Sequence, residues 1–195
     1  WLGYWTANDK TVGTQPDMLE YVTSRAAAWD CPISIHADLK RFAEHARTPD
    51  NLEVIRRWEE VRARRWLTEP RKLMLRNLEQ EHILLVNEKK EFELVPYDQI
   101  TDVAHGSRDV RAFTFRRNSD WYVVYWHISG DRKLELPIPP NIFTLMENLG
   151  QELKTAPGGT GTSSVVPVGN RRYIKTNRLT KEELVRAFKN SRIVE

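Results

Sequence analysis

Trp5, Asp9, His36 and Asp38 are side chains of this sequence whose types could engage a ligand or move a proton. An indole face can stack on an apolar or ring surface. A histidine can donate a hydrogen bond to a hydroxyl, and a carboxylate can accept one or exchange a proton. Each residue also has a plain structural role open to it. Trp5 can pack at a strand end, and His36 can be satisfied by backbone at the start of a helix. Asp38 can cap the helix that begins at Leu39, while Asp9 shares a solvated loop with Asn8 and Lys10.

The elements that must position these residues follow from the local pattern. Residues 1–5 read as a strand. Pro16 suits the first turn of a helix capped by Thr14 or Gln15, with Asp17 and Glu20 complementing its positive end. Met18, Val22, Ala26 and Trp29 recur at the spacing of one buried face, and Asp30-Cys31-Pro32 ends the helix. Ile33-Ser34-Ile35 is the next strand, leading to His36. A strand, loop, helix, strand order of this kind reads as the closing quarter of a β/α barrel, where chemistry sits on loops at the C-terminal ends of the strands. Trp5 and His36 fall at such ends, and Asp9 and Asp38 on the loops that follow. The rest of the barrel, and most of its site, is expected upstream of Trp1.

Two helices are expected next. Asp38 leads one whose inward face is Leu39, Phe42, Ala43 and Ala46. Thr48 and Pro49 start another, along which Leu52, Ile55, Trp58 and Val61 step toward Trp66. Thr68-Glu69-Pro70 marks a boundary, and from His82 the apolar period becomes that of strands. The expected division is therefore residues 1–77, helical with two strands, and residues 78–195, a small antiparallel β domain. Within the latter, 111–116 and 121–127 alternate as a hairpin with one face to a core and one outward. The Gly- and Ser-rich stretch 156–164 reads as a mobile surface loop. Thr180 and Glu183 have capping-box spacing at the start of a C-terminal helix.

Composition narrows the partners. Thirty Lys and Arg face 27 Asp and Glu, so the net charge of +3 is a small imbalance and no dense basic face. The run Arg56 to Arg65 carries acids three to four residues from its bases, which makes a salt-bridged solvated helix face and not a nucleic-acid surface. No apolar run approaches the roughly 18 residues of a membrane helix. A single cysteine, Cys31, precludes an intrachain disulfide and reads as a small core residue. His82, His105 and His127 share no metal-ligand spacing, so neither metal nor other cofactor is expected.

Gly3-Tyr4-Trp5, Pro16 to Val22 and Ala26 to Asp30 leading into Pro32-Ile-Ser-Ile resemble strand 7, helix 7 and strand 8 of a (β/α)8-barrel glycoside hydrolase. Asn51 to Trp66 would be the last barrel helix. Phe143 to Leu153, followed by Val165 to Ile174, is similar to the C-terminal β-sandwich that many barrel glycosidases carry. The resemblance implies an α/β fold followed by an all-β one: the terminal portion of a TIM barrel, then a small antiparallel β-sandwich with a C-terminal helix. It implies a carbohydrate substrate, contacted by Trp5, Asp9, His36 and Asp38, and a secreted or periplasmic parent. That family requires two carboxyl groups about 5 to 10 Å apart. Its largest clan places a Glu at the end of strand 7, and residues 1–5 hold no carboxylate. The catalytic pair is thus expected upstream, the chain by itself is expected to be inactive, and its uncovered helix faces are expected to drive self-association. The alternative is a binding module without catalysis, either carbohydrate-binding or resembling a pleckstrin-homology domain. In the latter, 82–86 and 92–100 would be opening strands and 180–189 the closing helix.

Overall fold

The structure, a computed structural model, describes residues 2–153, 156–157 and 161–195. Most of the stretch 156–164 lies outside the described residues or is described by backbone alone. The fold is a mixture of helices and antiparallel sheets with no closed barrel among the described residues. No helix is long and apolar enough to cross a membrane. The chain divides into two compact units, residues 1–86 with 90–96 and residues 87–89 with 97–195.

The first unit opens with β1 (Leu2–Gly3), α1 (Pro16–Ala28) and β2 (Ile35–His36). The two short strands pair in parallel, Leu2 opposite Ile35 and Gly3 opposite His36, with α1 as the crossover. Helices α2 (Leu39–Glu44), α3 (Thr48–Ala63) and α4 (Glu69–Arg76) follow, then β3 (His82–Val86) and β4 (Phe92–Ile100). Residues 92–96 of β4 pair antiparallel with β3. Proline stands in the first turn of α1, α3 and α4, where its missing N–H is one the helix would leave unpaired in any case.

Helix α1 packs on α3 and α4 through small residues: Ala27 and Ala28 lie in one core with Leu19, Val54, Trp58, Val61, Leu75 and Leu84. The inward face differs from the expected one. Met18 and Trp29 are exposed, and Leu19, Glu20, Thr23 and Ala27 point in. The cause is a buried polar partner: the Trp58 indole N–H donates to Glu20 Oε2 at 2.7 Å, which turns Glu20 toward α3. Trp29 finds its own cover, with the Arg76 guanidinium 4.0 Å from its ring. Leu39 is likewise exposed, against its expected inward place, and Leu52 is exposed on a helix face expected to lack cover within this chain. Cys31 is an exposed residue instead of a core one, because β2 begins only at Ile35 and leaves it on the preceding loop.

In the second unit residues 97–100 of β4 pair with β5 (Val110–Arg117) across a left-handed turn, α5 (Val103–Gly106). Then come β6 (Asp120–His127), β7 (Arg132–Leu136), β8 (Thr144–Asn148), β9 (Gln151–Leu153), β10 (Ala156–Pro157), β11 (Ser164–Val168) and β12 (Arg172–Thr176). Helix α6 (Lys181–Lys189) and β13 (Arg192–Val194) end the chain. One antiparallel sheet has the order β10-β11-β7-β13, and the other runs β4-β5-β6-β12-β8-β9. Their facing residues share a core that includes Ala112, Val123, Tyr125, Leu134, Leu136, Val166 and Ile174, and α6 adds Leu184 and Phe188 to it. The capping box of α6 is complete: Thr180 Oγ1 accepts from the Glu183 N–H and Glu183 Oε2 from the Thr180 N–H.

The expected hairpin is β5–β6, with Phe115 opposite Tyr122 and Ala112 opposite Tyr125. It does not show one face outward. Residues 122–128 are all buried, because the second face carries its own aromatic layer, Phe113 stacked on Trp126 and Phe115 on Tyr122.

Candidate functional site

Parallel pairing of β1 with β2 puts the loops after both strands on one edge, and the sequence-derived candidates lie there. Trp5 is two residues beyond Gly3, His36 is directly opposite Gly3, and Asp38 follows β2. The loop after β1 is closed by two bonds at its neck, Trp5 N–H to Thr14 Oγ1 at 2.9 Å and Thr14 N–H to the Trp5 carbonyl at 2.8 Å. Gly13 is required at this neck: its φ is +73°, and a Cβ would come within 2.7 Å of the Ala7 nitrogen and the Trp5 oxygen. Asn8 folds the tip, its Oδ1 accepting from the N–H groups of Lys10 and Thr11, and Asp9 is exposed on that tip.

Asp38 caps α2, with Oδ1 accepting the Arg41 N–H at 2.9 Å. One turn along, the Arg41 side chain lies over the Trp5 ring at 4.7 Å and donates from Nη1 to the Tyr4 carbonyl at 3.5 Å. Its Nε is 3.9 Å from Asp38 Oδ2. Arg41 therefore joins Trp5 to Asp38, while His36 and Asp9 stand on the same edge of the parallel pair. Trp5 stays 56% exposed. The spacing of Asp38 and Arg41 was visible in the sequence as an i, i+3 pair; the stacking on Trp5, 36 positions away, was not.

Below this edge is a buried polar cluster that sequence reasoning missed. The Tyr4 hydroxyl bonds to Thr48 Oγ1 at 2.7 Å and accepts from Asn51 Nδ2 at 2.9 Å, and the same Asn51 nitrogen donates to the Thr14 carbonyl. The Tyr4 ring stacks on Phe42 at 4.5 Å and lies 5.2 Å from His45. This cluster ties β1, the neck of the first loop and the start of α3 together, which fixes where Trp5 stands.

His45 adds a pH dependence. Its Nδ1 accepts the Arg47 N–H at 3.0 Å, so the neutral ring carries its proton on Nε2. Burial pushes its pKa below the ordinary histidine value, and the Arg47 cation reinforces the shift. His82 is lowered too, by burial and then by Arg25. Because both favour the neutral form when folded, the first unit has its full stability above the unfolded value of about 6.5. That stability is lost as pH falls through the lowered folded values. Thermal melts are expected to shift downward from pH 7.5 to pH 5, and His45→Gln to flatten the shift. An unchanged profile in the variant would remove His45 as the cause.

Elsewhere the charges are structural. On α3, Arg56 and Arg57 hold the Glu53 carboxyl down at about 2 by hydrogen bonds, and Arg62 pairs with Glu59. In the second unit a polar cleft of about 260 Å³ is lined by Asp120, Asn141, Thr144, Lys175 and Arg178, with Lys175 Nζ 3.2 Å from Asp120. Among the described residues no group of three or more His, Cys, Asp or Glu side chains is placed to hold a metal ion. No protein-family model matches this chain, and no curated protein matches it.

Proposed function

We propose that this chain is the C-terminal part of a glycoside hydrolase-like protein, its first unit completing a (β/α)8 barrel and its second unit forming an accessory β-sandwich. The observation that carries this reading is the placement of Trp5, Asp9, His36 and Asp38 along one edge of a parallel strand, helix, strand unit. That is the edge on which barrel enzymes build their sites. Trp5 offers an exposed indole to a sugar ring, and His36 and Asp38 offer polar groups to its hydroxyls. Asp38, engaged as a helix cap, serves binding better than proton transfer. The catalytic carboxyl pair belongs to an upstream barrel portion of the parent, which would be secreted or periplasmic, and the chain alone would leave aryl glycosides intact.

Oligosaccharide titration into the purified chain tests this. Trp5→Ala and His36→Ala are expected to abolish or weaken binding by tenfold or more, roughly the effect of losing one aromatic stack or one well-placed hydrogen bond, while Trp121→Ala leaves it unchanged. Sedimentation in the same samples is expected to show species larger than 22.9 kDa, since Met18, Tyr21 and Leu52 are exposed on α1 and α3. Turnover by the chain, abolished in Asp38→Ala, would overturn the division of labour.

A second reading, a β module that binds without catalysis, is favoured by the polar cleft beside Lys175 and Arg178 and by α6 closing the core of the second unit. Binding weakened by Trp121→Ala alone would select it.

A further inference from the structure

We infer that the edge holding Trp5 selects acidic sugars, with Arg41 as the residue that reads the carboxylate of a uronic acid unit. The inference rests on the carbohydrate reading above and narrows it to a substrate class.

Arg41 is built to face a ligand. Its guanidinium is parked on an exposed indole, 4.7 Å from the ring centroid, and its side chain remains 42% exposed. Among the described residues it makes a single side-chain hydrogen bond, the long one from Nη1 to the Tyr4 carbonyl. The contact to Asp38 is loose at 3.9 Å, and Asp38 is already held by the backbone N–H of Arg41. An exposed ion pair of that length contributes little and is readily exchanged for a better partner. Most of the planar donor fork is therefore available.

That fork matches one chemistry. Five N–H groups in a rigid plane pair with a carboxylate through two parallel hydrogen bonds, which a neutral hydroxymethyl group cannot reproduce. The part of the Trp5 indole that the guanidinium leaves uncovered lies beside the fork and can meet C–H groups of the same pyranose. Contact with Trp5 and with the Tyr4 carbonyl restrains the guanidinium, so part of the cost of ordering a long side chain is met before any ligand arrives. The Tyr4 carbonyl is itself fixed, because Tyr4 is buried and anchored through its hydroxyl to Thr48 and Asn51. A neutral sugar would leave the fork without a charged partner, while a uronate would engage it.

The test compares glucuronate-containing oligosaccharides with neutral gluco-oligosaccharides of equal length, titrated into the purified chain at 0.15 M salt. The acidic ligand is expected to bind about tenfold more tightly, the gain one charge-assisted hydrogen-bonded pair supplies. Arg41→Gln is expected to erase that preference, read as the ratio of the two affinities within the variant, and Arg41→Lys to retain only part of it. Trp5→Ala should weaken both ligands alike. Circular dichroism of each variant confirms the fold. Equal binding of both sugars at Trp5, or a preference that survives Arg41→Gln, would overturn the assignment of Arg41 and leave the carbohydrate reading standing. No binding of either sugar to the folded chain would overturn both.

Discussion

Trp58→Ala is expected to destabilise the first unit by about 3–5 kcal/mol, the range for removing a large buried aromatic. Trp58 has no exposed surface and packs in α3 among Leu19, Ala27, Ala28, Val54 and Val61. Truncation opens a cavity that helix contacts made by alanines, already close, cannot collapse to fill. It also removes the indole N–H from Glu20 Oε2, to which the Leu84 N–H reaches only at 3.4 Å. A buried carboxylate that loses a good donor costs more than the net value of the bond. Trp58→Phe separates the two effects: it keeps most of the volume and is expected to cost about 1–3 kcal/mol from the lost hydrogen bond. Chemical denaturation of both variants measures this. A loss below about 1 kcal/mol for Trp58→Ala, far under the buried-aromatic range, would show that the Trp58–Glu20 pairing does not organise the unit.

Phe188→Ala is expected to have a comparable effect on the second unit, again about 3–5 kcal/mol. Phe188 is fully buried on α6 and meets Tyr125 edge-on at 5.6 Å, at the place where the helix enters the core between the two sheets. Tyr125 is anchored in turn, its hydroxyl donating to the Pro167 carbonyl at 3.1 Å, and burial holds its phenol well above the ordinary range. Loss of Phe188 removes the largest side chain that α6 adds to this core. Thr180→Ala provides a graded control: breaking the capping box should cost about 1 kcal/mol. Hydrogen exchange read along β5, β6 and β12 distinguishes the two. Protection there should fall strongly for Phe188→Ala and slightly for Thr180→Ala, and equal protection in both would contradict the core assignment.

Where the determinants are local, they were legible in the sequence. Pro16 and Pro49 each open a helix, Thr180 and Glu183 cap one, and the alternation of 111–116 and 121–127 forms a register-matched hairpin; Pro70, read only as a boundary, opens another helix. The order strand, helix, strand over residues 1–36 was legible too, and its parallel pairing puts Trp5, His36 and Asp38 on one edge. Each of these follows from backbone chemistry within a few residues, where a missing N–H, a side-chain cap or a period of two acts on its own neighbourhood.

Only the tertiary structure decided which way α1 faces, whether both sides of the hairpin are covered, and what stands over Trp5. Met18 and Trp29 looked like core by spacing, yet Glu20 is inside because its partner, Trp58, lies 38 positions later. Arg41 reads as a helix-surface cation until the loop neck at Thr14 and the buried Tyr4 bring the Trp5 indole beneath it. Hydrophobic periodicity marks a stripe on one element, but burial of a polar or charged group depends on a partner supplied by another element. Composition and spacing therefore determine that helices and strands form and where they begin. Which of their polar residues are drawn inside, and which cations are held on an aromatic face, is decided when distant elements supply or withhold those partners.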